Sequence, residues 1–147
     1  MKKYILILLI ILSNYLPAAD IPKRGKIIIE IENFKNDKGV VRSQLFNKDQ
    51  ANYFPTKSEL AFTRLVGTIH GFRARLIYND LPFGVYAIAF HHDEDNDGKM
   101  NRNFLGIPTE GYGFSNNPKI YTGPPTFDES KIILQNDVLT IKVKMND

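Results

Sequence analysis

The strongest constraint on the fold of this chain is the two-residue period of its apolar side chains. In residues 26–33 (KIIIEIEN), Ile27, Ile29 and Ile31 alternate with residues that include two glutamates. Successive side chains of an extended chain point to opposite faces, so this pattern predicts a strand with one buried face. The chain therefore begins its folded part as a half-buried β-strand.

Further extended segments follow along the sequence. Residues 84–91 (GVYAIAFH) are almost continuously apolar after a turn at 81–84, which predicts a central strand that is covered on both faces. The other predicted elements are a hairpin of residues 26–33 and 40–46 across a turn at 36–39, a helical turn at 58–65 capped by Ser58, an extended segment at 68–78, and a closing pair of strands at 131–134 and 138–145.

These elements together predict a mainly β fold. We expect a single antiparallel β-sandwich of about seven strands, transthyretin-like or immunoglobulin-like, with a long ordered loop after a central strand. The 147 residues are enough for one domain. Because the chain has no cysteine, it has no disulfide, no thiolate metal site and no cysteine nucleophile.

Residues 1–19 have the pattern of a signal peptide. Lys2 and Lys3 precede an apolar run at 4–12, and residues 17–19 (PAA) supply small side chains before a cleavage expected at Asp20. The apolar run is shorter than the roughly 20 residues that span a bilayer. We therefore expect export to the periplasm or the cell exterior, a domain of residues 20–147, and no transmembrane anchor after cleavage. An uncleaved tether is the alternative, because Pro17 stands where alanine is usual.

The numbers of basic and acidic residues indicate which classes of partner the protein can bind. Without Lys2 and Lys3 the chain has 17 basic and 16 acidic residues, which is not the basic footprint of a nucleic-acid-binding protein. The expected partner is a protein, peptide or carbohydrate ligand, although tryptophan, the favoured platform for sugars, is absent. The candidate stacking side chains are Tyr53, Phe54, Tyr112 and Tyr121.

An acidic loop after the central strand is the most informative motif. Residues 93–98 (DEDNDG) follow the pattern D-x-D-x-D-G. A tightly curving loop points alternate side chains inward, where hard oxygen ligands can surround Ca²⁺, and glycine permits the sharp turn. The expected ligands are Asp93, Asp95, Asp97, the backbone carbonyl of Lys99, Asn101 directly or through water, and Glu110.

This loop does not predict an EF-hand. Its twelfth position is Phe104 instead of a glutamate, and a strand enters the loop where an EF-hand has a helix. The competing interpretation is a solvated acidic turn, since Asp, Asn and Gly are common in ordinary loops. Three carboxylates at alternate positions would repel one another without a cation, which favours metal binding. For Glu110 the alternative is an ion pair with Arg102.

The histidines that precede the loop allow a second hypothesis. His92 with Asp93 and Glu110 could hold a transition metal that activates water, as in a small metal-dependent hydrolase. Adjacent strand side chains point to opposite faces, so either His91 or His92 is expected to pack into the protein. The chain lacks a G-x-S-x-G elbow and a phosphate-binding glycine loop. We therefore assign no catalytic residue and favour a non-catalytic role.

The acidic loop and its surroundings also resemble a known family. Residues 91–117 (HHDEDNDGKMNRNFLGIPTEGYGFSNN) resemble the signature stretch of the bacterial domain-of-unknown-function family 2141, and residues 81–95 and 124–127 (PPTF) resemble its strand, turn and later proline-aromatic segment. The resemblance implies an exported, single-domain, mainly β protein without an established activity. The family pattern commonly has aspartate where this chain has Asn101.

Overall fold

A computed structural model describes residues 22–146, so the predicted signal peptide at 1–19 lies outside the described residues. This part of the chain has eight strands, two short 3₁₀ helices and one short α-helix. The strands are β1 (Arg24–Glu32), β2 (Val40–Asn47), β3 (Thr63–Gly67), β4 (Arg73–Pro82), β5 (Gly84–Asp93), β6 (Tyr112–Phe114), β7 (Ile132–Leu134) and β8 (Val138–Lys144). The helices are Lys48–Tyr53 and Ser58–Leu60, both 3₁₀, and α1 (Phe127–Ser130).

The strands form two sheets. The first has the order β4-β1-β8, with β1 antiparallel to β4 and parallel to β8. The second has the order β3-β2-β5-β6, with β7 also paired to β5, and all of its pairs are antiparallel. The predicted mainly β sandwich is confirmed, with eight strands instead of about seven and with one parallel pair.

The main core lies between the two sheets. The predicted face of β1 is buried: Ile27, Ile29 and Ile31 are at most 1% exposed, and complete burial of such a side chain contributes roughly 1.5–3 kcal/mol. The second sheet covers them with alternate residues of β2 and β5, among them Leu45 and Ile88. The two-residue period of the sequence therefore identifies the core face correctly.

Strand β5 is covered on both faces, as its sequence predicts. One face joins the main core, and the other carries Ala87 and Ala89 beneath a second apolar cluster. In that cluster the ring of Phe54 packs edge-to-face on Phe46 and Phe127. Because β2 pairs with one edge of β5, and β6 and β7 with the other, β5 is the central strand that positions the acidic loop at its end.

The two predicted hairpins are wrong, although all four of their strands exist. Strands β1 and β2 lie in different sheets, and the connection at 33–39 buries Phe34 (4% exposed) where it crosses between them. Strand β7 pairs with β5, whereas β8 pairs with β1, so residues 135–137 also pass from one sheet to the other. Alternation specifies which side chains face the core, but it does not specify which strand lies alongside.

Two other predicted segments have different bounds: the helical turn is shorter, and the extended segment is shifted along the chain to Arg73–Pro82. The helical turn ends at Leu60 and lacks a Ser58 side-chain cap, because Thr63–Gly67 is strand β3 in register with β2. The extended segment becomes a strand only at Arg73, because Gly71 and Phe72 adopt positive φ. The Asp37 carboxylate accepts hydrogen bonds from the backbone N–H of both residues and so holds this turn in place.

Candidate metal centre

The acidic loop begins at the end of the central strand. Asp93 is the last residue of β5 and is fully buried. On the neighbouring strand β2, the Nε of Arg42 donates a hydrogen bond to Asp93 Oδ2, and its Nη2 donates to Asn96 Oδ1 at 2.9 Å. One guanidinium therefore holds both the last strand residue and the first turn of the loop.

The three alternate aspartates converge. One carboxylate oxygen from each of Asp93, Asp95 and Asp97 lies within 4.8 Å of the other two. The backbone N–H of Asp97 lies 3.1 Å from Asp93 Oδ1 and 3.2 Å from Asp95 Oδ1, and the N–H of Gly98 lies 3.0 Å from Asp93 Oδ2. The backbone curls around the carboxylates because they accept its N–H groups, which is the usual role of aspartate in turns.

The hydrogen bonds leave part of each carboxylate available. Each ionised oxygen can accept about two hydrogen bonds. Asp93 Oδ2 has two, from Arg42 and Gly98, whereas Asp93 Oδ1 has one from the described residues. Asp97 Oδ1 accepts one from the N–H of Lys99 at 2.7 Å. A cation could therefore bind without displacing the Arg42 guanidinium.

The environment keeps Asp93 ionised. Burial by itself would raise the pKa of this carboxyl, but the hydrogen bonds from Arg42 and Gly98 and the guanidinium charge outweigh that effect and lower the pKa below its ordinary value. Asp95 and Asp97 are exposed, so water screens their repulsion. The site thus presents one buried and two solvated negative charges.

The remaining predicted ligands organise the loop. The Asn101 side-chain amide donates to Asp95 Oδ2 at 2.8 Å. Glu110 is buried, and its two carboxylate oxygens accept the N–H groups of Glu94 and Asn101, each at 2.9 Å. Glu110 therefore ties together the two ends of the acidic loop. The Nη1 of Arg102, its predicted alternative partner, donates to the carbonyl of Gly106.

The two histidines point to opposite faces of β5, and the prediction that one is packed is confirmed. His92 is fully buried, edge-on to Phe34 at 5.2 Å between ring centroids, with its Nε2 2.8 Å from the Lys38 carbonyl oxygen. His91 lies on the same face as Asp93. Its Nε2 is buried without a hydrogen-bond partner among residues 22–146. Burial lowers the pKa of His91, although the carboxylates of Asp93 and Glu110 oppose this shift.

Two neighbours of the aspartates, Arg42 and His91, are not among the predicted site residues. Arg42 lies 51 positions before Asp93, and only the pairing of β2 with β5 brings them together. His92 is the candidate ligand that the sequence predicts, whereas His91 is the histidine on the face of Asp93. The alternation of β5 carries the missing signal, because residues 91 and 93 must share a face.

The predicted stacking aromatics differ in their exposure. Phe54 is 8% exposed and belongs to the second apolar cluster, so its prediction as a ligand contact is wrong. Tyr112 packs against that cluster as well. Tyr53 and Tyr121 are exposed, at 38% and 83%.

A family model places the chain among known sequences. Residues 29–142 match the model of a family described as "Uncharacterized protein conserved in bacteria (DUF2141)". The chain belongs to the DUF2141 family. The match confirms the resemblance seen in the sequence, and it includes the whole acidic loop and Glu110. No curated protein and no solved structure matches this DUF2141 chain.

None of the helices between residues 22 and 146 has the length and apolar character needed to cross a bilayer.

Proposed function

We propose that this protein is an exported, non-catalytic binding or structural module whose acidic loop binds Ca²⁺ through Asp93, Asp95 and Asp97. The observation that carries the proposal is the convergence of three carboxylate oxygens within 4.8 Å. Two oxygens that each lie about 2.4 Å from one Ca²⁺ are at most about 4.8 Å apart, so this spacing is compatible with a shared ion.

The chemistry of the site supports Ca²⁺ over a softer metal. Its side-chain ligands are carboxylate oxygens, the hard ligands that Ca²⁺ prefers. The chain has no cysteine, so it has no thiolate ligand for a softer metal. The Lys99 carbonyl, Asn101 and water supply further oxygens of the kind that complete a six- to eight-coordinate shell. Asn101 is already bonded to Asp95. These neutral donors add no further repulsion.

The ion would fix the long connection against the sandwich. Arg42 and Glu110 already hold the two ends of the acidic loop. An ion among the aspartates would compensate the charges of Asp95 and Asp97, which no guanidinium contacts in the described part of the chain. The proposed role of the metal is therefore to rigidify a surface that a protein, peptide or carbohydrate ligand contacts.

The geometry gives less support to the small metal-dependent hydrolase. That mechanism places His92 on the same metal as Asp93, but the two side chains lie on opposite faces of β5, and His92 Nε2 contacts the Lys38 carbonyl. Zinc or iron binding there would require the His92 ring to leave a fully buried position against Phe34.

Thermal unfolding tests the metal proposal. A ligand that binds only the folded state raises the unfolding midpoint. We expect Ca²⁺ to raise it for the wild-type protein, and we expect Zn²⁺ and Mn²⁺ to raise it less. Asp95→Asn removes one ligand charge and the like-charge repulsion together, so it should abolish the Ca²⁺ shift while changing stability in chelator little.

Asp49→Asn is the matched control, since Asp49 is exposed in the 3₁₀ helix that follows β2. It should keep the full Ca²⁺ shift. A Ca²⁺ shift that survives in Asp95→Asn would contradict the site, and a shift produced by Zn²⁺ and lost in His92→Ala would favour the hydrolase. Export is tested by the N-terminus of protein recovered from the periplasm or medium, which should be Asp20.

A further inference from the structure

A projecting turn beyond the acidic loop carries apolar side chains outward. Residues 101–109, here called the finger, are closed at their base by the Thr109 N–H on the Asn101 carbonyl at 2.9 Å and by a bridge between Arg102 and Pro108. At its tip the exposed side chains are Phe104 (95%), Leu105 (68%) and Ile107 (55%).

Exposed apolar groups in such a short segment form a concentrated patch. A single exposed apolar residue is ordinary on a protein surface, but adjoining ones usually mark an interaction site. The finger carries Phe104 and Leu105 on a projection and not in a groove that could enclose a side chain of a partner. A projection of this kind is suited to entering a soft, deformable surface.

Four of the five backbone N–H groups of residues 103–107 are paired within the finger. The N–H groups of Leu105 and Ile107 donate to Asn103 Oδ1 at 3.0 and 3.1 Å, and that of Gly106 donates to the Asn103 carbonyl at 2.9 Å. The Asn103 N–H in turn donates to the Ile107 carbonyl at 2.9 Å. A tip with most of its N–H groups paired leaves few of them to desolvate, which lowers the cost of entering a lipid surface.

Basic side chains lie within and just before the finger, while the carboxylates of Asp95 and Glu110 adjoin its base at Asn101. Lys99 and Arg102 are exposed, and residues 98–109 contain no acidic residue. The Arg102 guanidinium donates to the Gly106 carbonyl and so lies alongside the tip. Basic side chains beside an inserted apolar group favour anionic headgroups, which they reach while their aliphatic stems contact the acyl region.

From these observations we propose that the finger binds the surface of an anionic bilayer, with Phe104, Leu105 and Ile107 entering its interface. This activity goes beyond the proposed calcium site and does not require it. Asp95 and Glu110, which accept hydrogen bonds from Asn101, carry the nearest opposing charges, so a cation bound at the acidic loop would strengthen the contact.

The absence of tryptophan from the chain permits a site-specific test. Phe104→Trp places one fluorophore at the tip of the full chain, where a larger ring has open space. Ile133→Trp is the control, because Ile133 is similarly exposed (56%) but pairs with Val85, at the end of β5 remote from Asp93. Emission is measured with vesicles of phosphatidylcholine alone or mixed with phosphatidylglycerol, each in chelator and in Ca²⁺.

We expect Phe104→Trp emission to move to shorter wavelength with the mixed vesicles, and to be quenched when their acyl chains are brominated, while Ile133→Trp emission stays unchanged. Leu105→Ser in the Phe104→Trp protein should weaken the apparent vesicle affinity by about tenfold, the loss expected for one buried leucine. Because the reporter is local, binding of vesicles by the N-terminal apolar run does not mimic this signal.

The proposal is overturned if Phe104→Trp emission is insensitive to the mixed vesicles in both chelator and Ca²⁺. An equal response to phosphatidylcholine alone would overturn the role of Lys99 and Arg102. A response that is present in chelator as well as in Ca²⁺ would support the finger proposal, and calorimetric Ca²⁺ titration of the vesicle-free protein would decide the calcium proposal separately.

Discussion

Arg42 of β2 donates its Nε hydrogen to the fully buried carboxylate of Asp93, the last residue of β5. The Arg42 side chain is itself 27% exposed, so its charge stays in contact with water. A buried carboxylate without a partner costs far more than a formed pair contributes, which makes this contact a requirement for burying Asp93. The guanidinium neutralises Asp93, and the cation proposed here would compensate the two solvated aspartates.

Replacing the guanidinium should therefore destabilise the fold. Arg42→Gln is expected to lower the free energy of unfolding by about 3 kcal/mol, because it leaves Asp93 buried and charged. Arg64→Gln, at an exposed position on the edge strand β3, should change it by less than about 0.5 kcal/mol. Urea unfolding of both variants measures the difference, and equal stabilities would show that the pair contributes nothing.

Gly39 should be much less replaceable than Gly71. Both have positive φ, +63° and +59°. A methyl group on Gly39 would overlap the Asp93 carbonyl oxygen and lie 2.7 Å from Glu94 Cα, whereas one on Gly71 meets nothing within 4 Å. Gly71→Ala should cost about 1 kcal/mol from backbone strain alone, and Gly39→Ala several times more. Similar urea midpoints for the two variants would contradict the close packing of residue 39 against the start of the acidic loop.

Asp37 should contribute stability that depends on pH. The backbone N–H groups of Phe72 and Gly71 hold the pKa of its carboxyl below the ordinary value of 3.8. A carboxyl with a lowered pKa in the folded state stabilises the protein above the unfolded-state pKa, and this contribution disappears as the pH falls through the folded-state pKa.

Asp37→Asn should therefore be less stable than the wild type at pH 7, with a gap that narrows below about pH 4, the unfolded-state value for aspartate. Urea unfolding midpoints at a series of pH values test this expectation, with Asp49→Asn as the exposed control. A gap of constant size from pH 7 to pH 3 would show that the charge of Asp37 is not what stabilises the turn.

Glu110 should determine how tightly the acidic loop is closed. Its two oxygens each accept one backbone N–H, from Glu94 and from Asn101. Glu110→Gln replaces one acceptor oxygen with a donor group and should cost about 1–3 kcal/mol for the unsatisfied buried N–H. Amide hydrogen exchange at Glu94 and Asn101 should accelerate in this variant and not in Glu59→Gln, which alters an exposed side chain. Unchanged exchange at both amides would contradict the closing role.

Local pattern was sufficient for six of the eight strands and for the core faces of β1 and β5, but it did not predict β3 or β6. Ile27, Ile29 and Ile31 of β1 and the apolar run of β5 from Tyr86 are buried as their sequences indicate. The partners of these strands were not predictable, because pairing depends on long-range geometry that a two-residue period does not encode. Phe34 illustrates the point: it is buried in the connection that crosses from the sheet of β1 to the sheet of β2.

The candidate metal site also has one part that the sequence predicts and one part that only the structure shows. The convergence of Asp93, Asp95 and Asp97 follows from their spacing within one turn. Arg42 reaches Asp93 only through the register of two strands, and Glu110 acts through backbone N–H groups that no side-chain motif reveals. The contacts that position the motif therefore had to come from the structure.

Calorimetric titration of Ca²⁺ into the chelator-treated protein tests the central claim most directly. The account predicts saturable binding of one Ca²⁺ per chain in the wild type and in Asp49→Asn, and its loss in Asp95→Asn. No saturable binding to the wild type, or equal binding to Asp95→Asn, would show that the three aspartates form a solvated turn and not a metal centre.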